Sequence, residues 1–160
     1  MKTQSETYEI NRIDKRAIEA LAVAPVIRAV AQRIGKEEAF AILREVNEQE
    51  AFQRGQRLRE KLGQTGIAEL VEDVAGWGKG TVWEMEVQEQ TPETYCFNVT
   101  RCPYYEKYRE LGLGEYGVAL SCCRDEPFAR GFHPRLTLTR TQTIMEGAAY
   151  CDFRYSLPST

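Results

Sequence analysis

The 160-residue chain has a net charge of −3 with acids and bases interspersed, and 42% of its residues are hydrophobic and 28% charged. This composition suits one globular domain with a real core, and it carries no basic footprint for nucleic acid. No apolar run reaches the roughly 18–20 residues needed to span a bilayer, since the longest, residues 20–31, is broken by Pro25 and Arg28.

The first sixteen residues are polar and lack a signal-peptide core, so a cytoplasmic location is expected. The five cysteines are an odd number with no CxxC pair, and in that compartment they read as thiols or ligands rather than disulfides.

In chain order, residues 10–34 place Ile10, Ile13, Ile18, Leu21, Val26, Ile27 and Val30 at roughly helical spacing. Pro25 predicts a break or kink and Gly35 a stop. Residues 36–63 form a second, long amphipathic helix in which Phe40, Ile42, Leu43 and Val46 make a stripe among many charges. Gly55 weakens that helix locally. The charged face is read either as solvated or as a surface for a second copy of the chain in a homo-oligomer. A short third helix follows, with Thr65 as its cap and Gly76 or Gly78 as its end.

The period then changes. Residues 80–90 alternate Val82, Glu84, Glu86 and Gln88 against Trp83, Met85 and Val87, a half-buried strand that returns through TPET as YCFNVTR. A helix opens at Cys102–Pro103. Another covers residues 114–126 and ends before Pro127. The loop GFHP leads into the last two strands, joined at Glu146–Ala148 with Gly147 in the turn. The sum is an α+β domain, with residues 1–78 as a helical half and 79–160 as a β-β-α-α-β-β half whose four strands form a mainly antiparallel sheet.

Within residues 136–144, Leu136, Leu138, Arg140, Gln142 and Ile144 share one strand face while four threonines share the other. An arginine on a leucine face needs an anion, because an unpaired buried guanidinium is costly. Its partner is a nearby carboxylate or the carboxylate of a small ligand, to which an arginine fork is suited. Arg101, Arg124, Arg140 and Arg154 all fall near element ends, with Asp125, Glu146 and Asp152 close in sequence; surface ion pairs are the plainer reading.

Cys102 stands at a helix start, where free N–H groups and the dipole favour a thiolate. Cys122 lies three residues before Asp125 on one helical face, and Cys151 lies on the core side of the last strand. Each reads alone as a small buried hydrophobe. Together Cys102, Cys122 and Cys151 are a candidate ligand set for a metal ion, or a nucleophile and its neighbours. His133 is the only histidine and reads as a loop residue.

FNVTRCPYYEKYRELGLGEYG, LSCCRD and GFHPRLTLTRTQTIMEGAAYCDFRY together resemble the L-2-amino-thiazoline-4-carboxylic acid hydrolase family, closely over residues 80–157. More distantly, EGAAYCDF is similar to the end of the 4-vinyl-reductase-type ligand-binding domains, which implies a fold like the TRAPP-complex subunits with a small-molecule pocket between sheet and helices. The first resemblance implies hydrolysis of a thiazoline carboxylate to N-carbamoyl-L-cysteine, a step toward L-cysteine.

Under that reading Arg140 or Arg101 meets the substrate carboxylate, with Arg124, Gln142 and Arg154 as further contacts. Asp125 or Glu146 is the base, and Cys102 is the nucleophile. A metal held by Cys102, Cys122 and Cys151 would instead activate the water. Cys96 and Cys123 are incidental, and the resemblance does not favour a mechanism built on His133, which any Ser-His or Cys-His machinery would need. The alternative function is a ligand- or metal-sensing domain of the vinyl-reductase type that binds without turnover.

Overall fold

The computed structural model describes residues 10–159; the polar segment 1–9, which entered the signal-peptide reading, lies outside them. Three helices come first: α1 (Arg12–Ile34), α2 (Lys36–Leu62) and α3 (Ile67–Ala75). The hairpin β1 (Glu84–Gln90) and β2 (Thr94–Arg101) leads into α4 (Pro103–Glu110), α5 (Gly117–Leu120) and α6 (Asp125–Phe132). The strands β3 (Thr137–Thr139) and β4 (Cys151–Ser156) complete the chain. All strand pairings are antiparallel in the order β1-β2-β4-β3. The α+β class and the single sheet joining both hairpins are therefore as the sequence predicts. Among the described residues no helix is long and apolar enough to cross a membrane.

Asn11 caps α1, its side-chain oxygen accepting from the Ile13 and Asp14 N–H groups at 3.0 and 2.9 Å. The face that α1 buries is Ile13, Ala17, Ala20, Ala24 and Ile27, while Ile10, Ile18, Leu21 and Val26 remain exposed. The predicted stripe followed the larger side chains; close helix packing selected the alanines. Pro25 does not end the helix. It lies on the exposed face, where the carbonyl that loses its partner is open to water. In α2 the buried residues are Ala39, Leu43, Ala51 and Gly55, and Ile42 and Val46 face outward.

Gly55 is a contact point rather than a weakness. A Cβ on it would lie 2.4 Å from the Phe128 carbonyl oxygen, and a Cβ on Gly131 would lie 2.1 Å from that of Phe52. Two backbones thus meet where α2 crosses α6, and no side chain fits between them. Pro127, expected to follow a helix end, sits at the third position of α6, where its missing N–H has no intrahelical acceptor to lose. The residues before it fold as separate short turns and α5 instead of one helix. Thr65 does not cap α3; Gly66 stands at that position without a side-chain bond.

β2 and β4 bury alternate residues, Tyr95, Phe97 and Val99 on one and Cys151, Phe153 and Tyr155 on the other. The Phe97 and Phe153 rings stack at 4.8 Å. β1 is an edge strand on which only Met85 is half-buried, so its alternation does not divide core from solvent as expected. β3 stops at Thr139, well short of the predicted strand. The connection to β4 passes through a 3₁₀ turn at Ile144–Glu146 and Gly147, at φ +97°.

The α2–α6 contact yields a test of sign. At an unconstrained helical site glycine-to-alanine stabilises by about 1 kcal/mol. Gly131→Ala and Gly55→Ala are expected instead to destabilise by about 2–3 kcal/mol, because the helix backbones must separate. Equilibrium denaturation of each variant against the parent chain measures this.

Candidate active site

A cavity of about 190 Å³ opens between the helical half and the sheet. α1 contributes Arg12, Lys15, Arg16 and Glu19, and α2 contributes Glu50, Ala51 and Arg54. The sheet side supplies Val99, Cys151 and Phe153; the remaining wall comes from Trp77, Trp83, Cys102, Tyr104, the Ser121–Asp125 turn, Phe128, Arg140 and Met145. Six basic and three acidic side chains line it, so its wall is cationic although the chain is anionic.

Arg140 follows the last residue of β3. It pairs through Nη1 with Asp125 Oδ2 and donates through Nη2 to the Cys122 carbonyl at 2.8 Å. Its guanidinium lies 5.2 Å from the centre of the Phe153 ring. Asp152 explains why the chain leaves the sheet there. Its carboxylate accepts from the Thr141 and Gln142 N–H groups at 3.0 and 2.8 Å and from the Thr141 hydroxyl at 2.6 Å. This fastening replaces further strand pairing and aims Arg140 into the cavity.

Protein surrounds Asp125 except on the cavity side, and 21% of its side chain stays exposed. Burial raises its pKa above the ordinary carboxylate value, although Arg140, Arg124 and Arg54 pull the other way. Burial works against the charge of Arg140 too, but Asp125 outweighs it and the guanidinium stays cationic. No hydrogen bond reaches Asp125 Oδ1 among the described residues.

Cys102, Cys122 and Cys151 all line this cavity. Burial pushes the Cys102 thiol up to about 11, against the nearby N–H groups of Tyr105 and Tyr104. Those N–H groups favour the thiolate without closing a capping hydrogen bond. Burial also raises Cys122 and Cys151, and Cys151 accepts from the Ile144 N–H at 3.2 Å. The dipole argument for a reactive thiolate at Cys102 is thus outweighed by desolvation. Among the described residues no group of three or more histidine, cysteine or acidic side chains is placed to hold a metal ion. The three cysteines share the cavity wall.

Several expected site residues lie elsewhere. Arg101 is on the surface, bonded to Glu106 at 2.8 Å and 3.7 Å from Glu84. Arg154 donates to the Phe97 and Phe153 carbonyls, both at 2.9 Å, and to the Asn98 side chain at 2.8 Å, outside the cavity. Gln142 bonds the Tyr150 carbonyl at 3.1 Å, because the end of β3 at Thr139 removes it from the leucine face. Exposed Glu146 accepts from the Thr143 hydroxyl at 2.7 Å and closes a local cap. His133 accepts from the Arg135 N–H at 3.1 Å, away from the cavity. Arg124 does line the cavity; it pairs with Glu50 and bonds Asn47. Burial and Arg16 lower its pKa to about 10.

The helical half supplies what the motif reading missed. Asp73 Oδ1 receives both Arg12 at 3.0 Å and Arg54 at 2.9 Å, and Oδ2 receives the Trp77 indole N–H at 2.9 Å. Burial pushes the Asp73 carboxyl up, but Arg54, the indole N–H and Arg12 together hold it below its ordinary value. Burial lowers Arg54, although Asp73 pulls the other way against the smaller effects of Arg12 and Arg16. The only sequence signal was the spacing of Arg12, Lys15, Arg16 and Glu19 along one face of α1.

Fold and site together define an α+β protein with a cationic, thiol-lined cavity between its helical half and its sheet. The model of the L-2-amino-thiazoline-4-carboxylic acid hydrolase family matches residues 15–155, and the chain belongs to that family. The match begins in α1, so it includes the helices that the motifs themselves covered only loosely. No curated protein matches the sequence.

Two outcomes are expected. With its pKa near 11, Cys102 should react with iodoacetamide at pH 7.5 on the order of a hundredfold more slowly than an ordinary cysteine; alkylation followed by peptide mass spectrometry measures the rate. Asp73→Asn should cost about 2 kcal/mol at pH 7. A depressed folded-state pKa confers stability that is present above the ordinary value and is lost as pH falls through the folded one. The gap between variant and parent should therefore close on acidification below about pH 4, as followed by thermal melts.

Proposed function

We propose that the protein hydrolyses a small heterocyclic carboxylate, with L-2-amino-thiazoline-4-carboxylate as the substrate its family membership favours. The observation that carries this reading is Asp125: a carboxylate of raised proton affinity, aimed by Arg140 into a cavity lined by Cys102 and Cys151. A base in that state suits activation of water.

Water adds to the ring carbon between nitrogen and sulfur as Asp125 takes a proton from it. The tetrahedral centre collapses to a urea carbonyl and the carbon–sulfur bond breaks. Asp125 returns its proton to the departing sulfur, and the second proton from water ends on the ring nitrogen. The product is N-carbamoyl-L-cysteine. The high pKa of Cys102 favours water over a thiolate as nucleophile and leaves Cys102 to shape the pocket around the ring sulfur. Production of cysteine precursors in the cytoplasm belongs to the same reading.

Incubation with the thiazoline and titration of released thiol tests it. The parent chain should release thiol, and Asp125→Asn should lower kcat by at least about a hundredfold. Cys102→Ser should stay within about tenfold of the parent. The neutral thiols equally suit a pocket that binds without turnover; ligand binding with no thiol release would establish that second reading.

A further inference from the structure

We infer that the ligand's carboxylate is bound by Arg12 and Arg54, with Asp73 as their strut, and not by Arg140. The inference rests on the reading of the ligand as a small heterocyclic carboxylate, and it fixes which way such a ligand lies. Its ring then points toward Cys102 and Asp125.

Charge separates the two ends of the cavity. Arg140 is matched by Asp125, Arg124 by Glu50 and Arg16 by Glu19. Arg12 and Arg54 share the single carboxylate of Asp73, both on Oδ1. Two positive charges are therefore left over, one between Arg12 and Arg54 and one on Lys15, which lines the same wall and makes no ion pair among the described residues; both lie at the helical wall. A carboxylate brought there is a missing counter-charge; one brought to Arg140 would compete with an existing partner and face the Asp125 carboxylate.

Donor geometry agrees. Arg140 has committed both terminal nitrogens, one to Asp125 and one to the Cys122 carbonyl. Arg12 and Arg54 each bond Asp73 through Nη2 alone, which leaves Nη1 and Nε on both. Arg54 is held in plane by the Phe128 ring, 4.5 Å from its guanidinium carbon, so its remaining fork is oriented before a ligand arrives. Asp73 does not itself line the cavity, which makes it a positioning residue.

Both tryptophans of the chain, Trp77 and Trp83, line the cavity, so their fluorescence reports on binding. The probes are L-2-amino-thiazoline-4-carboxylate and 2-amino-thiazoline, which lacks the carboxylate, each titrated into the full chain. The parent should prefer the carboxylate by about ten- to a hundredfold. Arg54→Gln should bring that ratio close to one while leaving the affinity for 2-amino-thiazoline within about twofold, and Arg54→Lys should restore part of it.

A fold defect would weaken both probes together; melting curves identify one, and the more exposed Arg12→Gln then replaces Arg54→Gln. Loss of the preference without thiol release in the parent would support the subsite while removing the hydrolytic reading. The inference is overturned if the parent binds neither probe or both equally. It is also overturned if the preference survives Arg12→Gln and Arg54→Gln but disappears in Arg140→Gln.

Discussion

The backbone contact between α2 and α6 at Gly55 and Gly131 is the constraint on which the remaining architecture depends. Without a side chain at either position the two helices close to a separation that any Cβ would prevent. Gly55 is the neighbour of Arg54, and Gly131 lies on the helix that starts at Asp125. The contact that docks the helical half on the sheet half therefore also sets the distance between the two sides of the cavity. It places Arg54 over the Phe128 ring and lets both Arg54 and Arg140 act on the Asp125 carboxyl.

Two buried carboxylates organise the cavity wall, and they act differently. Asp73 accepts from three donors and is held ionised by them; its work is to position cations. Asp125 has one strong partner, and burial dominates its titration; it keeps a raised affinity for protons. Similar side chains a few residues from an element end thus acquire a structural and a reactive character through the number of donors that reach them.

Much of the architecture was legible in the sequence because glycine, proline and alternation mark element ends strongly. The three N-terminal helices, both hairpins and the helix at Pro103 follow those marks. Arg140 was legible as well, since a cation on a face with Leu136 and Leu138 needs an anion, and Asp125 supplies it. What failed has a physical pattern. α1 was judged by its largest apolar residues, whereas a tight crossing prefers Ala17, Ala20 and Ala24. Gln142 was carried inward by an alternation that Asp152 interrupts through bonds to the backbone, and no periodicity encodes such bonds. Arg12 and Arg54 escaped because their relation runs through Asp73, which neither residue reveals by spacing.

The cavity also has a consequence in time. Its walls come from α1, at the start of the described chain, and from Arg140 to Phe153, near its end. Loop-closure entropy across most of the chain must be met before these walls face each other. Arg12 can meet Asp73 within the helical half, but the wall it forms with Arg54 faces Cys151 and Phe153 only once β4 has been made and paired with β2. No partial fragment holds the complete pocket, so a molecule that recognises it binds only the finished fold. Such a molecule would draw late, nearly folded chains toward the native state by mass action.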